Sequence, residues 1–259
     1  MSSTKRNPIA RRRALRRKIA EHGEVSVNEL CGLLNASAAT IRRDLAILAQ
    51  EGKVKRGYGG ASVPSMRPAE EDLAIRAQKF VSEKQAMARV AIEFIEPGNT
   101  IFLSDGSTML ALARDIALVE FELFVATPAA NISEILVSNP NITVCLLGGF
   151  VRQTSHATGG HFTEAMVDQI NADLVIASCD ALSLSDGMCY NHSLDAALTK
   201  KMFAKASRSM TVVNHAKIDT KARICGVPFT DIDIIVTEKR HPEMERSLDS
   251  KSINIVYAK

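Results

Sequence analysis

Between residues 8 and 50 the apolar positions recur at helical spacing. Leu15 and Ile19 stand four apart in a segment predicted to be helical over 8–22, and Gly23 ends it. "SVNEL" then offers a capping box, with Ser26 as N-cap and Glu29 three residues on. Val27, Leu30 and Leu34 form the apolar stripe of a second helix. After the tight turn "NAS", Ser37 caps a third helix in which Ile41, Leu45 and Leu48 share one face at i, i+4, i+7. Gly52 ends that helix, and the alternating, glycine-rich "KVKRGYGGA" predicts a two-stranded wing. Three helices and a wing within about sixty residues predict a winged helix-turn-helix.

The pattern then changes. "SVPSMRP" (62–68) reads as a linker, and 69–96 as one helix with Ile75, Val90, Ile92 and Ile95 among its apolar positions. From Thr100 short apolar runs alternate with helical segments: "TIFLS", "LFVAT", "TVCLLGG" and "DLVIASC" each precede a helix, near 108–117, 130–138, 162–170 and 194–206. "MTVVN" and "DIIVTE" follow, then a helix near 242–249 and "INIVYA". Such alternation predicts an α/β fold: a parallel or mixed sheet with helices on both faces. The expected organisation is a winged helix-turn-helix over 1–61, a linker over 62–68 and a larger Rossmann-like α/β domain over 69–259.

Composition sharpens this picture. With 259 residues, 46% of them hydrophobic, the chain can bury a sizeable core. No apolar run approaches the ~20 residues of a membrane span. The start, "MSSTKRNPIARRRALRRK", lacks the apolar stretch of a secretory signal. It is Arg-rich and acid-poor, as transit peptides are, but its helix reads better as part of the domain. Five cysteines, at 31, 145, 179, 189 and 225, are odd in number and lack C-x-x-C spacing. That argues for a reducing cytoplasm and against a disulfide frame or a zinc site. Cys145 and Cys179 sit in apolar runs as small hydrophobes. His156, His161, His192 and His215 show no metal-ligand spacing, so no metal or cofactor is expected. The net charge of +3 hides an asymmetry: residues 1–60 hold 13 Lys and Arg against 5 Asp and Glu, and the remainder 19 against 24. A basic end joined to an acidic body suggests a polyanion-binding module.

The third helix then acquires a role. Arg42 and Arg43, side by side, would alone read as a solvated face. In a helix-turn-helix, however, the second helix of the motif enters the major groove with its N-terminal residues at base edges. The small residues Ser37, Ala38, Ala39 and Thr40 let its backbone approach DNA, and the two arginines reach phosphates or guanine edges. Lys53, Lys55 and Arg56 in the wing are placed to meet phosphates. One recognition helix reads few base pairs, so a homo-oligomer, at least a dimer, is expected to pair two half-sites. An RNA-binding regulator is disfavoured: the chain has no Trp and no aromatic stacking motif.

The stretch "VSVNELCGLLNASAATIRRDLAILAQEGKVKRGYGGA" resembles the DNA-binding domain of the DeoR family of bacterial transcriptional regulators. That family's pattern is V-S-V-x-E-L, V-S-x-x-T-I-R-R-D-L and G-x-x-x-R-x-x-G-G-A. Residues 25–61 match it almost throughout. Ala36 replaces the usual Val, and Arg16 and Lys18 stand where apolar residues are common. The resemblance continues through "IFLSDGSTMLALA", "VATPAANISEIL", "LLGGFVRQTSHATGG" and "NHAKI" followed by "DIDIIVTE". It implies a C-terminal domain similar in fold to ribose-5-phosphate isomerase and the CoA transferases, sensing a phosphorylated sugar or related anionic metabolite. It also implies a DNA-binding transcriptional regulator, most often a repressor, of carbohydrate-metabolism genes. The alternative is a sugar-phosphate isomerase-like enzyme fused to a DNA-binding module, but the isomerases' K-G-x-G-G-A segment is absent.

Ligands of open α/β sheets bind beyond the carboxyl ends of the strands. "SDGST" (104–108) is such an end opening a helix. Gly106 permits close approach, and the Ser107 and Thr108 hydroxyls with the helix amides can hold a phosphate, though a ligand-free N-cap turn has the same form. Asp105 is adjacent. Thr127, Gly148, Gly149 and Arg152 follow other strands, and Arg152 suits either a phosphate or a structural ion pair. Asp180 is placed to accept sugar hydroxyls, and Lys217 to meet a phosphate or carboxylate. Against the family pattern, Ser104, Ser178, Ala181, Asp195, Thr199, Asn214 and Ala216 are departures, all in the presumed pocket. They point to an atypical effector.

Overall fold

The computed structural model describes residues 8–22, 24–50, 54–57, 60–62 and 72–258, and the chain divides into two units, Met1–Ala69 and Glu70–Lys259. In the first, α1 (Pro8–His22), β1 (Glu24–Ser26), α2 (Val27–Leu34) and α3 (Ala38–Gln50) precede β2 (Lys55–Gly57) and β3 (Gly60–Ser62). The helical stripes converge: Leu15, Ile19, Leu30, Ile41, Leu45 and Leu48 are all buried, together with Val25, Val27 and Val54. Burying each large side chain contributes ~1.5–3 kcal/mol. The capping box forms as expected. Ser26 Oγ accepts from the Glu29 N–H at 3.2 Å, and Glu29 Oε2 accepts from the Ser26 N–H at 2.9 Å. Asn35, left-handed at φ 47°, ends α2.

The wing differs from expectation. It is three-stranded, in the order β1-β3-β2, because Glu24–Ser26 pairs antiparallel with β3 and buries Val25. A three-residue strand joined directly to a helix leaves no alternation for the sequence pattern to reveal. Gly23, Gly52, Lys53 and residues 63–71 lie outside the described residues.

The second unit opens with α4 (Leu73–Gln78) and α5 (Val81–Ala91), which continues into a 3₁₀ turn (Ile92–Phe94). The single helix expected over 69–96 is therefore broken. Lys79 is extended and Phe80 left-handed at φ 54°, and Lys84, buried in the next helix, donates Nζ to the carbonyls of Arg76 and Lys79. That side chain adds a donor at the end of α4, where the Lys79 N–H also reaches the Arg76 carbonyl, at 3.3 Å.

There follow β4 (Thr100–Leu103), α6 (Ser107–Ile116), β5 (Leu123–Thr127), α7 (Ala130–Leu136), β6 (Ile142–Leu146), the short pair β7 (Phe150–Val151) and β8 (Thr158–Gly159), and α8 (His161–Val167). The chain then forms β9 (Ala172–Ala177), β10 (Ala181–Ser183), β11 (Gly187–Tyr190), α9 (Ser193–Ala204), β12 (Ala206–Val212), β13 (Ile224–Val227), β14 (Ile234–Thr237), α10 (Pro242–Leu248) and β15 (Asn254–Tyr257). Seven strands make one all-parallel sheet in the order β15-β14-β12-β9-β4-β5-β6. Both faces are covered, as near-continuous apolar strands require. Ile101, Leu103, Val125 and Ile176 pack with α5, α6 and α7, while Phe102, Val175 and Ile235 pack with α8, α9 and α10. A small antiparallel sheet, β10-β11-β13, lies over the second core through Leu182, Met188 and Val227.

The strand order fixes where a ligand can enter. From β4 the chain winds outward through β5 and β6, then returns to β9 on the other side of β4 and winds away through β12, β14 and β15. The direction of winding reverses between β4 and β9, and crevices open at such switch points.

Candidate functional site

In the first unit α3 presents an exposed face. Ile41, Leu45 and Leu48 turn inward, which leaves Ala39, Arg42 and Arg43 exposed, with Ala38 and Thr40 half-buried beside them. Ser37 holds the start of the helix: its Oγ accepts from the Thr40 N–H at 3.3 Å and lies 2.9 Å from Thr40 Oγ1. Lys55 and Arg56 lie on β2, and Lys53 falls outside the described residues. Asp44, within the "IRRDL" segment, has a different task. It is buried and accepts from Arg11 Nε at 2.5 Å, tying α3 to α1. The motif thus alternates inward and outward side chains, and periodicity alone does not mark Asp44 as inward because it is charged.

In the second unit a cleft opens at the switch between β4 and β9. It is lined by Asp105, Gly106, Ser107 and Thr108 from the end of β4 and the start of α6, and by Ser178, Cys179 and Asp180 from the end of β9. Arg76 of α4, Tyr190 of β11, Asp195 of α9 and Lys217 complete the lining. Gly106, at φ 107°, has a conformation open to glycine and caps α6 without a side-chain hydrogen bond. The helical ladder begins with the Leu110 N–H on the Gly106 carbonyl, so the preceding amides have no partner within the helix and carry the positive end of its dipole.

Of the ten residues expected at the effector site, six line this cleft: Asp105, Gly106, Ser107, Thr108, Asp180 and Lys217. The other four do not. Thr127 is fully buried and its Oγ1 accepts from the Ala129 N–H at 3.2 Å. The Gly148 carbonyl accepts from Thr163 Oγ1 at 2.7 Å. A side chain at Gly149 would come within 2.1 Å of that same hydroxyl, so this pair of glycines seats the start of α8. Arg152 takes the structural option: its Nη1 pairs with Asp195, and Nη2 reaches Thr154 Oγ1 at 3.4 Å.

The cleft's charges are partly withdrawn from solvent. Burial pushes the Asp105 carboxyl up to about 7; the nearby Asp195 adds to the rise, and Arg76 and Arg152 oppose it. Behind Arg76, burial lowers Lys84 to about 8, helped by repulsion from Lys217 and Arg76 and opposed by Glu83. Lys217 Nζ donates to the Cys179 carbonyl at 2.7 Å, and Asp180 accepts from the Asn191 N–H at 2.7 Å. Burial also holds the Tyr190 phenol well above its ordinary value, and its hydroxyl reaches the Ser178 carbonyl at 3.4 Å. The Ser178 hydroxyl is buried and has no hydrogen-bond partner among the described residues. The arrangement can therefore bind an anion through α6 amides, Arg76 and Lys217, and hydroxyls through Asp105, Asp180 and Ser178.

Arg76, Cys179 and Tyr190 were not foreseen as lining residues, whereas Ser178 and Asp195, placed in the presumed pocket as departures from the family pattern, do line it. Arg76 lies in a stretch with only helical periodicity to read, and Tyr190 on a strand of the small sheet that the alternation did not separate. The small sheet also overturns one expectation. Cys189 and Cys225 face each other in register on β11 and β13 and are joined as a disulfide, where the cysteine count had argued against one. They lie 36 residues apart, and only the antiparallel pairing brings them together. Of the remaining cysteines Cys179 is buried and Cys145 half-buried. His192 and His241 cap α9 and α10, and His215 pairs with Glu238 at 2.6 Å. Among the described residues no group of three His, Cys, Asp or Glu is placed to hold a metal ion, and no helix is long and apolar enough to cross a membrane.

Comparison with known proteins agrees with both units. Residues 11–67 match the DeoR-like helix-turn-helix domain, and residues 79–239 match the DeoR C terminal sensor domain. The HTH-type transcriptional regulator YgbI of Escherichia coli (strain K12), itself described as uncharacterized, is 30% identical over 254 residues, which span 97% of this chain and 98% of that protein. A lactose phosphotransferase system repressor of Staphylococcus epidermidis is 27% identical over 90% of this chain and 92% of its own. Among solved structures, ribose 5-phosphate isomerase A of Methanocaldococcus jannaschii aligns with a TM-score of 0.40 at 15% identity, over 52% of this chain and 53% of that one. With both of its domains matched in order, the chain belongs to the DeoR family of DNA-binding transcriptional regulators.

Proposed function

We propose that the protein is a cytoplasmic repressor of carbohydrate-metabolism genes, released or engaged by a small phosphorylated sugar or a related anionic metabolite. Its working parts are a DNA-binding domain over 1–61, a linker over 62–68 and a sensor domain over 69–259, assembled as a homo-oligomer that pairs two operator half-sites. Ser37, Ala38, Ala39, Thr40, Arg42 and Arg43 read the groove, and Lys53, Lys55 and Arg56 meet the backbone. A relative of similar length is named a lactose phosphotransferase system repressor, which supports the carbohydrate setting.

The observation that carries the effector reading is the cleft at the β4–β9 switch, where unpaired helix amides and two cations face three carboxylates. The amides of Ser107 and Thr108 with Arg76 and Lys217 take the anion. Asp180 accepts from ligand hydroxyls. Asp105, titrating near neutrality, donates when protonated and accepts when ionised. Ser178 supplies a buried hydroxyl whose hydrogen-bonding capacity a ligand hydroxyl would complete. The effector acts by population shift: it must bind one arrangement of the oligomer better than the other. A coupling of about 1–3 kcal/mol changes operator affinity roughly 5–150-fold.

Calorimetry against a panel of sugar phosphates, sugar acids and their phosphates identifies the ligand. Replacing Ser107 and Thr108 by Ala is expected to weaken its binding and the response to it, while ligand-free DNA affinity is retained. A confirmed effector that binds the double variant as tightly as wild type would show the anion site to be elsewhere.

A further inference from the structure

The small sheet carries a feature outside the effector and DNA sites. β11 and β13 run antiparallel with Met188 opposite Val227 and Cys189 opposite Cys225, so Gly226 is an extra residue on β13. Such a bulge re-aims the side chains beside it, and here it sets Cys225 against Cys189. The two cysteines differ in access: Cys189 is buried, whereas Cys225 is exposed.

β11 is also a wall of the cleft. The Cys189 carbonyl accepts from the Asp180 N–H at 3.1 Å, Tyr190 lines the cleft beside it, and the next amide, that of Asn191, donates to the Asp180 carboxylate. The Tyr190 carbonyl accepts from the Arg223 N–H at 3.0 Å, so the same short stretch binds β13 on one side and the cleft on the other. β13 in turn packs on α9, where a side chain at Gly226 would meet the Ala196 carbonyl at 3.0 Å, next to the cleft residue Asp195.

We propose that Cys189 and Cys225 form a reversible redox site that sets the rigidity of the cleft wall. In a reducing compartment such a pair is chiefly a transient, responsive bond rather than a permanent staple. The partner in exchange is a low-molecular-weight disulfide of the glutathione class. The Cys225 thiolate attacks one sulfur of that disulfide, forms a mixed disulfide and releases one small thiolate. The Cys189 thiol then loses its proton and attacks Cys225 Sγ, closing the protein bond and releasing the second small thiolate. Two protein thiols are oxidised, one small disulfide is reduced to two thiols, and the two protons lost from cysteine end on the small thiols. Closure fastens β11 to β13 and so holds the Asp180 and Tyr190 backbone; opening removes that covalent tie and leaves the wall held by backbone hydrogen bonds and core packing.

The test uses the full chain in glutathione buffers spanning fully reduced to fully oxidised, quenched by alkylation and read by peptide mass spectrometry, with hydrogen exchange measured at both extremes. Cys189 and Cys225 are expected to convert together and reversibly, with Cys31, Cys145 and Cys179 remaining alkylatable after denaturation. Amides of 178–191 are expected to exchange at least tenfold more slowly in the oxidised state. The exposed substitution Cys225→Ser should show reduced-state exchange in every buffer, and Cys189→Ala should do the same if it folds. A pair that never closes in oxidising buffer, or that opens only on unfolding, overturns the proposal. So does a pair that closes while exchange in 178–191 is unchanged. None of these outcomes depends on the identity of the effector, so a failed anion site would leave this test intact.

Discussion

In the DNA-binding domain Arg42 and Arg43 stand out into solvent, whereas in the sensor domain Asp105, Lys84 and the Arg152–Asp195 pair are drawn into the protein. The contrast follows from the two ligands. DNA brings a dense, fixed array of phosphates, and exposed cations gain affinity by releasing its counterions without first giving up their own hydration. A small metabolite must instead be told apart from water and from other anions. Desolvated charges with shifted pKa values do that, at a cost to stability. Family membership says what the two domains are; on the proposed reading, the handling of charge is how each selects its partner.

The largest test concerns an apparent exception. Asp44 and Arg11 form a buried pair inside the domain of exposed charges. If it is purely structural, Asp44→Ala should remove the tie between α3 and α1 and cost up to about 3–5 kcal/mol of folding stability. Urea denaturation followed by a probe in the first domain reads this directly. The joint replacement Arg11→Met with Asp44→Leu should recover most of the loss, because apolar pairs of similar volume are tolerated there. A loss below about 1 kcal/mol for Asp44→Ala would mean the pair is solvated in solution, and the contrast would sharpen rather than blur.

The next effect belongs to the cleft. The Asp105 carboxyl is raised from 3.8 to about 7 in the folded chain. Between those values the folded state holds a proton that the unfolded state has lost. Stability therefore falls as pH rises through that window, and the cost is complete above 7. At 1.36 kcal/mol per unit it is bounded at roughly 4 kcal/mol. Asp105→Asn should accordingly be more stable than wild type at pH 8, by an amount up to that bound, with the advantage shrinking as pH is lowered toward 4. Thermal unfolding across pH 4.5–8 measures it. Parallel curves for the two proteins would show that Asp105 is solvated, and the cleft would lose its claim to desolvated charge.

These two sites also differ in how they are encoded. The helix-turn-helix was legible because its information is local: Ser26 with Glu29 marks one helix start, and Ile41, Leu45 and Leu48 mark one face within eight residues. The alternation of strands and helices likewise disclosed the parallel sheet, and the end of β4 disclosed Asp105 to Thr108. The rest of the cleft is assembled by strand order. Arg76 and Tyr190 come from segments whose own patterns say only helix or strand. Arg152 shows the converse: a cation after a strand end, which the fold gives to Asp195. The break between α4 and α5 was hidden for a similar reason, since Phe80 looks like one more apolar position until its backbone turns left-handed.

The smallest expected effect is the most discriminating for the exposed side of the contrast. Arg42 and Arg43 are adjacent on α3 and both exposed, so they point in directions about 100° apart on the helix. They need not do the same work. An arginine that reads a base edge should cost about 1–3 kcal/mol of operator affinity when replaced by Ala, and should relax preference at one position. One that meets a phosphate should weaken all sequences about equally and lower the slope of log affinity against log salt by about 1. Mobility-shift titrations of each variant on operator and random duplex, at several salt concentrations, separate the two roles. The expected pattern is one residue of each kind, because a short helix start that lies in the major groove faces base edges on one side and backbone on the other. If both variants bound operator as wild type does at every salt concentration, α3 would not be the reading head. The exposed arginines would then be a solvated face, and the comparison between the two domains would rest on the cleft alone.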